Sequence, residues 1–234
     1  MTIEESLKEA GIGITRLGNQ FIFAVNLSDN LTKSLKISTK QMLNDPAKKD
    51  HSEQLAGVFN FGSQTKVNLK TSRMLPHWEE FFDTIEKISY SYVEYFNEKC
   101  INSKIPTSNF VCKINDMWIN EQLPGDYNPL HCHNNESMAG LSGVFYVSIP
   151  KEIREGKADS GKINFVYGTQ RQNDHNNFRL AQTVQVNPQP GGLLLFPQDM
   201  NHSVTSFVSE ESRISIAFNV NVWYKDYKVK NYIQ

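Results

Sequence analysis

Arg213-Ile214-Ser215-Ile216-Ala217-Phe218-Asn219-Val220-Asn221 is the stretch whose alternation decides the fold. In an extended strand successive side chains point to opposite faces. Ile214, Ile216, Phe218 and Val220 therefore share one face, and Arg213, Ser215, Ala217, Asn219 and Asn221 share the other. The first face is apolar and packs on a core. The second is polar and opens with Arg-x-Ser. If it lines a barrel interior, Arg213 is a buried cation, which is costly unless it is paired, and no acidic residue on that face can pair with it. A bound carboxylate can, by a bidentate charge-assisted contact to which Ser215 adds a hydroxyl donor. The bland alternative is a solvated outer face carrying an ordinary surface arginine.

Working outward, the segments Phe110 to Ile119, Leu141 to Ile149, Ile163 to Val166, Thr183 to Val186 and Leu193 to Phe196 also read as strands, with Gly, Pro, Asn and Asp between them. Many short strands with turn signals point to a sandwich, barrel or jelly roll. The first hundred residues carry the helical signal. One helix is expected over Leu31 to Leu43. A second begins near Pro76, whose missing N–H suits a first helical position. Its stripe of Trp78, Phe81, Phe82, Ile85, Ile88, Tyr92, Tyr95 and Phe96 is the face that packs on a sheet. Asn44 to Gln54 reads as a polar surface loop with a solvated His51. Tyr167 to Arg179, which contains His175, is a long polar segment, either a surface loop or a lid. The expected organisation is one domain over 1–234, with a helical part (1–108) packing on a β core (109–224) and a C-terminal tail (225–234).

The chain has 234 residues, 39% hydrophobic and 21% charged, with a formal net charge of −1. That length buries a sizeable core, and the near-neutral charge gives no footprint for nucleic acid or an anionic membrane. The 3 cysteines, Cys100, Cys112 and Cys132, form no CxxC pair and suggest a reducing compartment. The acidic N-terminus lacks the apolar run of a signal peptide, and no segment approaches the ~20 apolar residues of a membrane span. A cytoplasmic protein is the expectation.

Histidines supply the second half of the polar-face puzzle. In NPLHCHNN (128–135) His131 and His133 stand at i and i+2, so on a strand they project together while Cys132 points away. Two imidazoles on one face can hold adjacent corners of a metal's coordination sphere. In PGGLLLFPQDMNH (190–202) an apolar strand is framed by Gly191-Gly192 and Pro197, and a short turn then places His202 at the strand mouth, where barrel sites form. Each piece alone has an ordinary reading, as exposed strand histidines and as a capped surface histidine.

Taken in order, HxH, GxLxLFP-turn-His and RxS resemble the Fe(II)/2-oxoglutarate-dependent oxygenases. The chain looks more closely like a family of 2-oxoglutarate–iron oxygenases common in marine bacteria and phages. The matching stretches are WINEQLPGDYNPLHCHNNESMAGLSGVFYVSIP, GGLLLFPQDMNHSV and ESRISIAFN, which lie between about residues 110 and 222. The resemblance implies a mainly β fold, a double-stranded β-helix (a jelly-roll, cupin-like barrel) braced by N-terminal helices. It implies Fe(II), 2-oxoglutarate as cosubstrate and O₂, with oxidative decarboxylation to succinate and CO₂ coupled to hydroxylation of a substrate. His131 and His202 match the two metal histidines of such enzymes. Arg213 matches the residue that grips the far carboxylate of 2-oxoglutarate, and Ser215 its partner. Tyr146 sits where related hydroxylases carry a tyrosine to that carboxylate, and Asn120 could line the same pocket from the preceding strand. His133 departs from the pattern, falling where an Asp or Glu is usual. The centre is then a three-histidine site (His131, His133, His202), or water, Glu136 or Asp199 fills the third corner. Two other readings stay open: a cupin-like three-histidine metalloenzyme that needs no 2-oxoglutarate, and a non-catalytic jelly-roll binding protein. The substrate, a small molecule or a protein side chain, is not legible, and neither is the oligomeric state.

Overall fold

The strand that opens on Arg213 runs to Tyr224 and lies between two long antiparallel neighbours, and the rest of the molecule is arranged about its two faces. The computed structural model describes residues 2–101, 106–133, 140–156, 160–168 and 182–225. The strands are β1 (Gly13–Leu17), β2 (Gln20–Asn26), β3 (Ser63–Lys66), β4 (Phe110–Gln122), β5 (Asn128–His131), β6 (Gly140–Ser148), β7 (Ile163–Tyr167), β8 (Gln182–Val186), β9 (Gly192–Pro197), β10 (Asn201–Val204) and β11 (Arg213–Tyr224). Among the described residues they form a seven-stranded sheet, β1-β2-β9-β6-β11-β4-β3, and a four-stranded sheet, β5-β10-β7-β8. From β4 to β11 the chain switches from sheet to sheet at every step except the paired β7 and β8, as in a double-stranded β-helix. The helices are α1 (Ile3–Glu9), α2 (Asp29–Asn44), α3 (Leu69–Ser72), α4 (Pro76–Phe96) and α5 (Lys151–Arg154).

The alternation read from β11 holds on both faces. Ile214, Ile216, Phe218 and Val220 pack in one apolar cluster with Trp78, Phe81, Phe82 and Ile85 of α4. The Phe81 ring lies 5.2 Å from that of Phe145 on β6, and edge-on to Phe218 at 6.4 Å. α4 starts at Pro76 as expected and buries the predicted stripe, with Phe96 only partly covered. α2 is capped by Ser28, whose hydroxyl accepts from the Leu31 N–H at 3.3 Å, and it buries Leu31, Leu35 and Leu43. Between the sheets lies a second apolar cluster. Val144, Tyr146, Leu194 and Phe196 of the large sheet meet Ile163, Phe165 and Val204 of the small one. The opposite face of β11, Arg213, Ser215, Ala217 and Asn219, lines a cavity of about 510 Å³ within the barrel.

The first part of the chain is less purely helical than its pattern suggests, because β1, β2 and β3 extend both edges of the large sheet. In β2, Phe21 and Phe23 face the helix-side core while Ile22 faces the cluster between the sheets. A strand buried on both sides reads as an unbroken apolar run, which periodicity does not separate from a buried helix. β3, Ser-Gln-Thr-Lys, has no apolar signal at all. The polar loop before it is also docked rather than merely solvated. Asp50 bridges to Thr65 and accepts from the Gln64 N–H at 3.0 Å, and the half-buried His51 donates its backbone N–H to Gln64 O at 2.8 Å.

Buried Asp126 fixes the neighbouring turn. Its carboxylate accepts from the backbone N–H groups of Asn60, Phe61, Gly62 and Leu123 at 2.8–3.2 Å. This holds the loop whose Leu55 and Ala56 form part of the cavity wall. Gly62 has to be glycine there, since a Cβ would lie 1.9 Å from Glu121 O. Among the described residues no helix is long and apolar enough to cross a membrane. The tail 226–234 and most of the polar segment after Tyr167, His175 included, lie outside the described residues.

Trp78 is fully buried between α4 and the sheet. Trp78→Ala is expected to lower the unfolding free energy by about 3–5 kcal/mol. A chemical-denaturation shift below about 1 kcal/mol would contradict this packing.

Candidate metal centre

His131 and His202 are brought together by strand register. β5 and β10 run antiparallel with these two residues directly opposite each other, and their rings lie 4.3 Å apart. β5 ends at His131, so His133 lies just beyond the strand. Its backbone N–H donates to Gln198 O at 2.7 Å, and its ring stands 5.2 Å from His131 and 5.1 Å from His202. The three histidines offer ligand atoms that all lie within 4.8 Å of one another, a group able to hold a metal ion.

Hydrogen bonds select the tautomer of each ring. His131 Nδ1 is 2.7 Å from Pro129 O, and His202 Nδ1 is 2.9 Å from Met200 O. Carbonyl oxygens only accept, so each Nδ1 carries the hydrogen and each Nε2 keeps its lone pair. His133 Nδ1 is 3.0 Å from Asn219 Oδ1 and donates likewise. Burial, with a smaller push from His131, takes His133 down to about 4 and His202 down to about 3. Both are therefore neutral at pH 7, the state that a metal requires.

Arg213 lies elsewhere on the cavity wall, in register with Gln122 on β4. It is 2% exposed and has no ion-pair partner among the described residues. Nη1 donates to Gln122 Oε1 at 2.6 Å and to Ser215 Oγ at 3.3 Å, while Nε has no partner. Its guanidinium carbon lies 5.3 Å from the Tyr146 ring centre. Burial pushes the Tyr146 hydroxyl up to about 12, with the Arg213 cation pulling it back. Ser215 pairs with Asn120 on one side and Tyr146 on the other. Asn120 in turn accepts from Gln64 Nε2 at 2.8 Å. Arg213, Ser215, Tyr146 and Asn120 thus form one buried polar neighbourhood, whose cation has no ion-pair partner among the described residues.

Four residues at the site were not singled out in the sequence. Gln122 and Asn219 were legible in principle, because alternation puts Gln122 with Asn120 and Asn219 with Arg213. Trp118 stacks on His133 at 5.9 Å and 17°, but a tryptophan in an apolar strand carries no such label. Gln64 comes from β3, where the pattern is silent. Of the alternative third ligands, Asp199 accepts from Gln20 Nε2 at 3.1 Å and does not join the histidine cluster. Glu136 lies outside the described residues.

A double-stranded β-helix thus presents a histidine cluster and a buried arginine, without an ion-pair partner among the described residues, to one cavity. Residues 116–219, which contain all these side chains except Gln64, match the family model described as "Putative 2OG-Fe(II) oxygenase". No curated protein matches the chain in sequence. Among solved structures, a Pseudomonas putida prolyl-4-hydroxylase is 11% identical with a TM-score of 0.55, covering 94% of this chain and 96% of that one. The α-ketoglutarate-dependent carbocyclase SnoK from nogalamycin biosynthesis is 13% identical with a TM-score of 0.60, covering 96% and 88%. HygX from Streptomyces hygroscopicus, solved with nickel and 2-oxoglutarate bound, is 11% identical with a TM-score of 0.52, covering 94% and 87%. At these identities the likeness is one of fold.

Titration of the metal-free and metal-loaded forms tests the cluster. His131→Ala and His202→Ala are each expected to abolish Fe(II) or Co(II) binding in calorimetry, and unchanged stoichiometry in either would remove the site. For the metal-free protein, an unfolded chain takes up protons near the ordinary histidine value of 6.5, while the folded protein refuses them until about 4 at His133 and 3 at His202. Their contribution to stability is complete above pH 6.5 and is lost as pH falls through those values. The denaturant midpoint should drop between pH 7 and 4, with a shallower slope in His133→Gln. Equal slopes would contradict a buried neutral imidazole.

Proposed function

We propose that this protein is an Fe(II)- and 2-oxoglutarate-dependent hydroxylase whose metal is held by His131, His133 and His202. The observation that carries the reading is Arg213, a cation buried in the cavity wall with no acid paired to it among the described residues and an unpartnered Nε. Such a charge is costly unless a ligand supplies the anion. Dicarboxylate 2-oxoglutarate supplies one at its far end and leaves its keto-acid end for the metal.

In this reading Arg213 offers its guanidinium edge to the carboxylate, Ser215 adds a hydroxyl donor and Tyr146 lies against the cation. Gln122 holds the guanidinium from the side, and its own Nε2 donates to Asn128 Oδ1 at 3.1 Å. Asn120, tied to Gln64, completes the polar wall. Val144, Ile163, Phe196 and Val204 make the cavity's apolar side and limit the water around the reacting groups. When bound, Fe(II) supplies O₂ activation coupled to oxidative decarboxylation of 2-oxoglutarate to succinate and CO₂. The three neutral imidazoles leave that ion its full positive charge, which favours an anionic cosubstrate. The hydroxylated group is a small molecule or a protein side chain. The free cysteines Cys100, Cys112 and Cys132 suit a reducing, cytoplasmic setting.

His133 in the usual carboxylate position favours a second reading, a cupin-like three-histidine enzyme without 2-oxoglutarate. One assay separates the two. Under the proposed function, protein loaded with Fe(II) forms succinate from 2-oxoglutarate in air even without the native substrate. Arg213→Ala weakens 2-oxoglutarate binding by about 2–5 kcal/mol, roughly 30-fold or more, and leaves metal content intact. Unchanged 2-oxoglutarate affinity in Arg213→Ala, or no succinate from the wild type, would favour the cupin-like reading.

A further inference from the structure

The three histidines do not hold their tautomers in the same way. His131 and His202 give their Nδ1 hydrogens to main-chain carbonyls two residues earlier, Pro129 O and Met200 O. Those acceptors come with the backbone and no substitution removes them. His133 gives its hydrogen to a side chain on the opposite wall of the barrel, Asn219 Oδ1 on β11. The same oxygen accepts from Ser142 Oγ on β6 at 2.6 Å, and Ser142 and Asn219 face each other across the β6–β11 ladder. Asn219 Oδ1 thus accepts from both the imidazole and the Ser142 hydroxyl. β11 shifts register against β4 between Asn219 and Val220, the kind of bulge that re-aims a side chain. Trp118 closes the arrangement, stacked on His133 from β4.

We propose that Asn219 is a positioning residue that makes His133 a metal ligand, by holding its Nδ1–H so that Nε2 faces the cavity bare. The inference rests on the three-histidine reading above and adds what enforces it. A carboxylate at this corner has equivalent oxygens and no tautomer to choose. A neutral imidazole divides between two tautomers, and the one protonated on Nε2 presents a hydrogen to the ion. A chain with histidine at position 133 therefore needs an acceptor at Nδ1. Asp116 stands opposite Asn219 on β4, held by Lys66 at 3.2 Å, and Asn219 and Ser142 are a polar pair beside Gly143, Val144 and Ala217. Their two hydrogen bonds meet that need. Partners of this kind commonly change metal affinity by about 10–100-fold when removed.

The test uses Co(II) as the probe, so it does not depend on 2-oxoglutarate or on an unidentified substrate. Co(II) is titrated into the full-length wild type, His133→Ala, Asn219→Leu and Asn219→Asp, and the nitrogen-15 shifts of the histidine rings are recorded without metal. Asn219→Leu keeps the side-chain size and loses the acceptor. It should bind Co(II) about 10–100-fold more weakly, and His133 alone should move from the Nδ1–H tautomer to a mixture. Asn219→Asp keeps an acceptor oxygen and should restore both. Wild-type affinity in Asn219→Leu, or an unchanged His133 tautomer, overturns the proposal. If His133→Ala itself binds Co(II) like the wild type, the three-histidine centre fails first and takes the proposal with it. A loss in His133→Ala without one in Asn219→Leu refutes the role of Asn219 alone.

Discussion

A guanidinium at 2% exposure, with no carboxylate paired to it among the described residues, is the constraint around which this molecule is organised. It is tolerable because the surrounding wall is polar where it must be. Gln122 and Ser215 take part of the charge through Nη1, and the Tyr146 ring lies against the cation. Each of these partners is delivered by β-sheet register and not by a loop. Arg213 stands opposite Gln122, and Ser215 stands between Asn120 and Tyr146. A one-residue slip of β11 would turn Arg213 and Ser215 toward the helices, away from their partners, and send Ile214, Ile216, Phe218 and Val220 into the cavity. The aromatic packing of α4 on the other side of the sheet therefore guards the chemistry as much as the stability.

The two sheets divide the site between them. The small sheet contributes the facing pair His131 and His202, while the large sheet contributes the arginine and its neighbours and, through Asn219, the orientation of His133. The cavity lies where the two meet, and Val144, Ile163, Phe196 and Val204 form its apolar side. The match of residues 116–219 to the 2OG-Fe(II) oxygenase family model agrees with this division. In the proposed centre the unusual element is the uncharged third corner. Replacing an anionic ligand with imidazole shifts the burden of orientation onto a side-chain hydrogen bond, which is why the structure has more to say about His133 than about its two companions.

Much of this was legible in the chain itself. Period-two alternation in 213–221 is strong because one face is wholly aliphatic or aromatic, so it fixes both the packing side and the cavity side of β11 at once. The α4 stripe is similarly clear, since an aromatic-rich face with Pro76 at its head has few other readings. The N-terminal strands were hidden for opposite reasons. β2 is apolar on both faces and β3 is polar on its buried one, so neither shows the contrast that reveals a half-covered strand. The partners of Arg213 were half visible: Asn120 had been picked out, yet Gln122, two residues on and facing the same way, makes the shorter bond. Gln64 and Trp118 required three-dimensional contact, because their roles depend on register between segments far apart in the chain.

The facing position of His131 and His202 has a mechanical consequence. β5 is a four-residue strand at the rim of the small sheet, too short to rely on ladder bonds alone. An ion gripped by both imidazoles would fasten that rim to β10 as a clasp fastens the two ends of a strap, tying together segments that the chain visits far apart. Loading the centre would then stiffen this rim of the barrel, and the metal-free protein would be looser there.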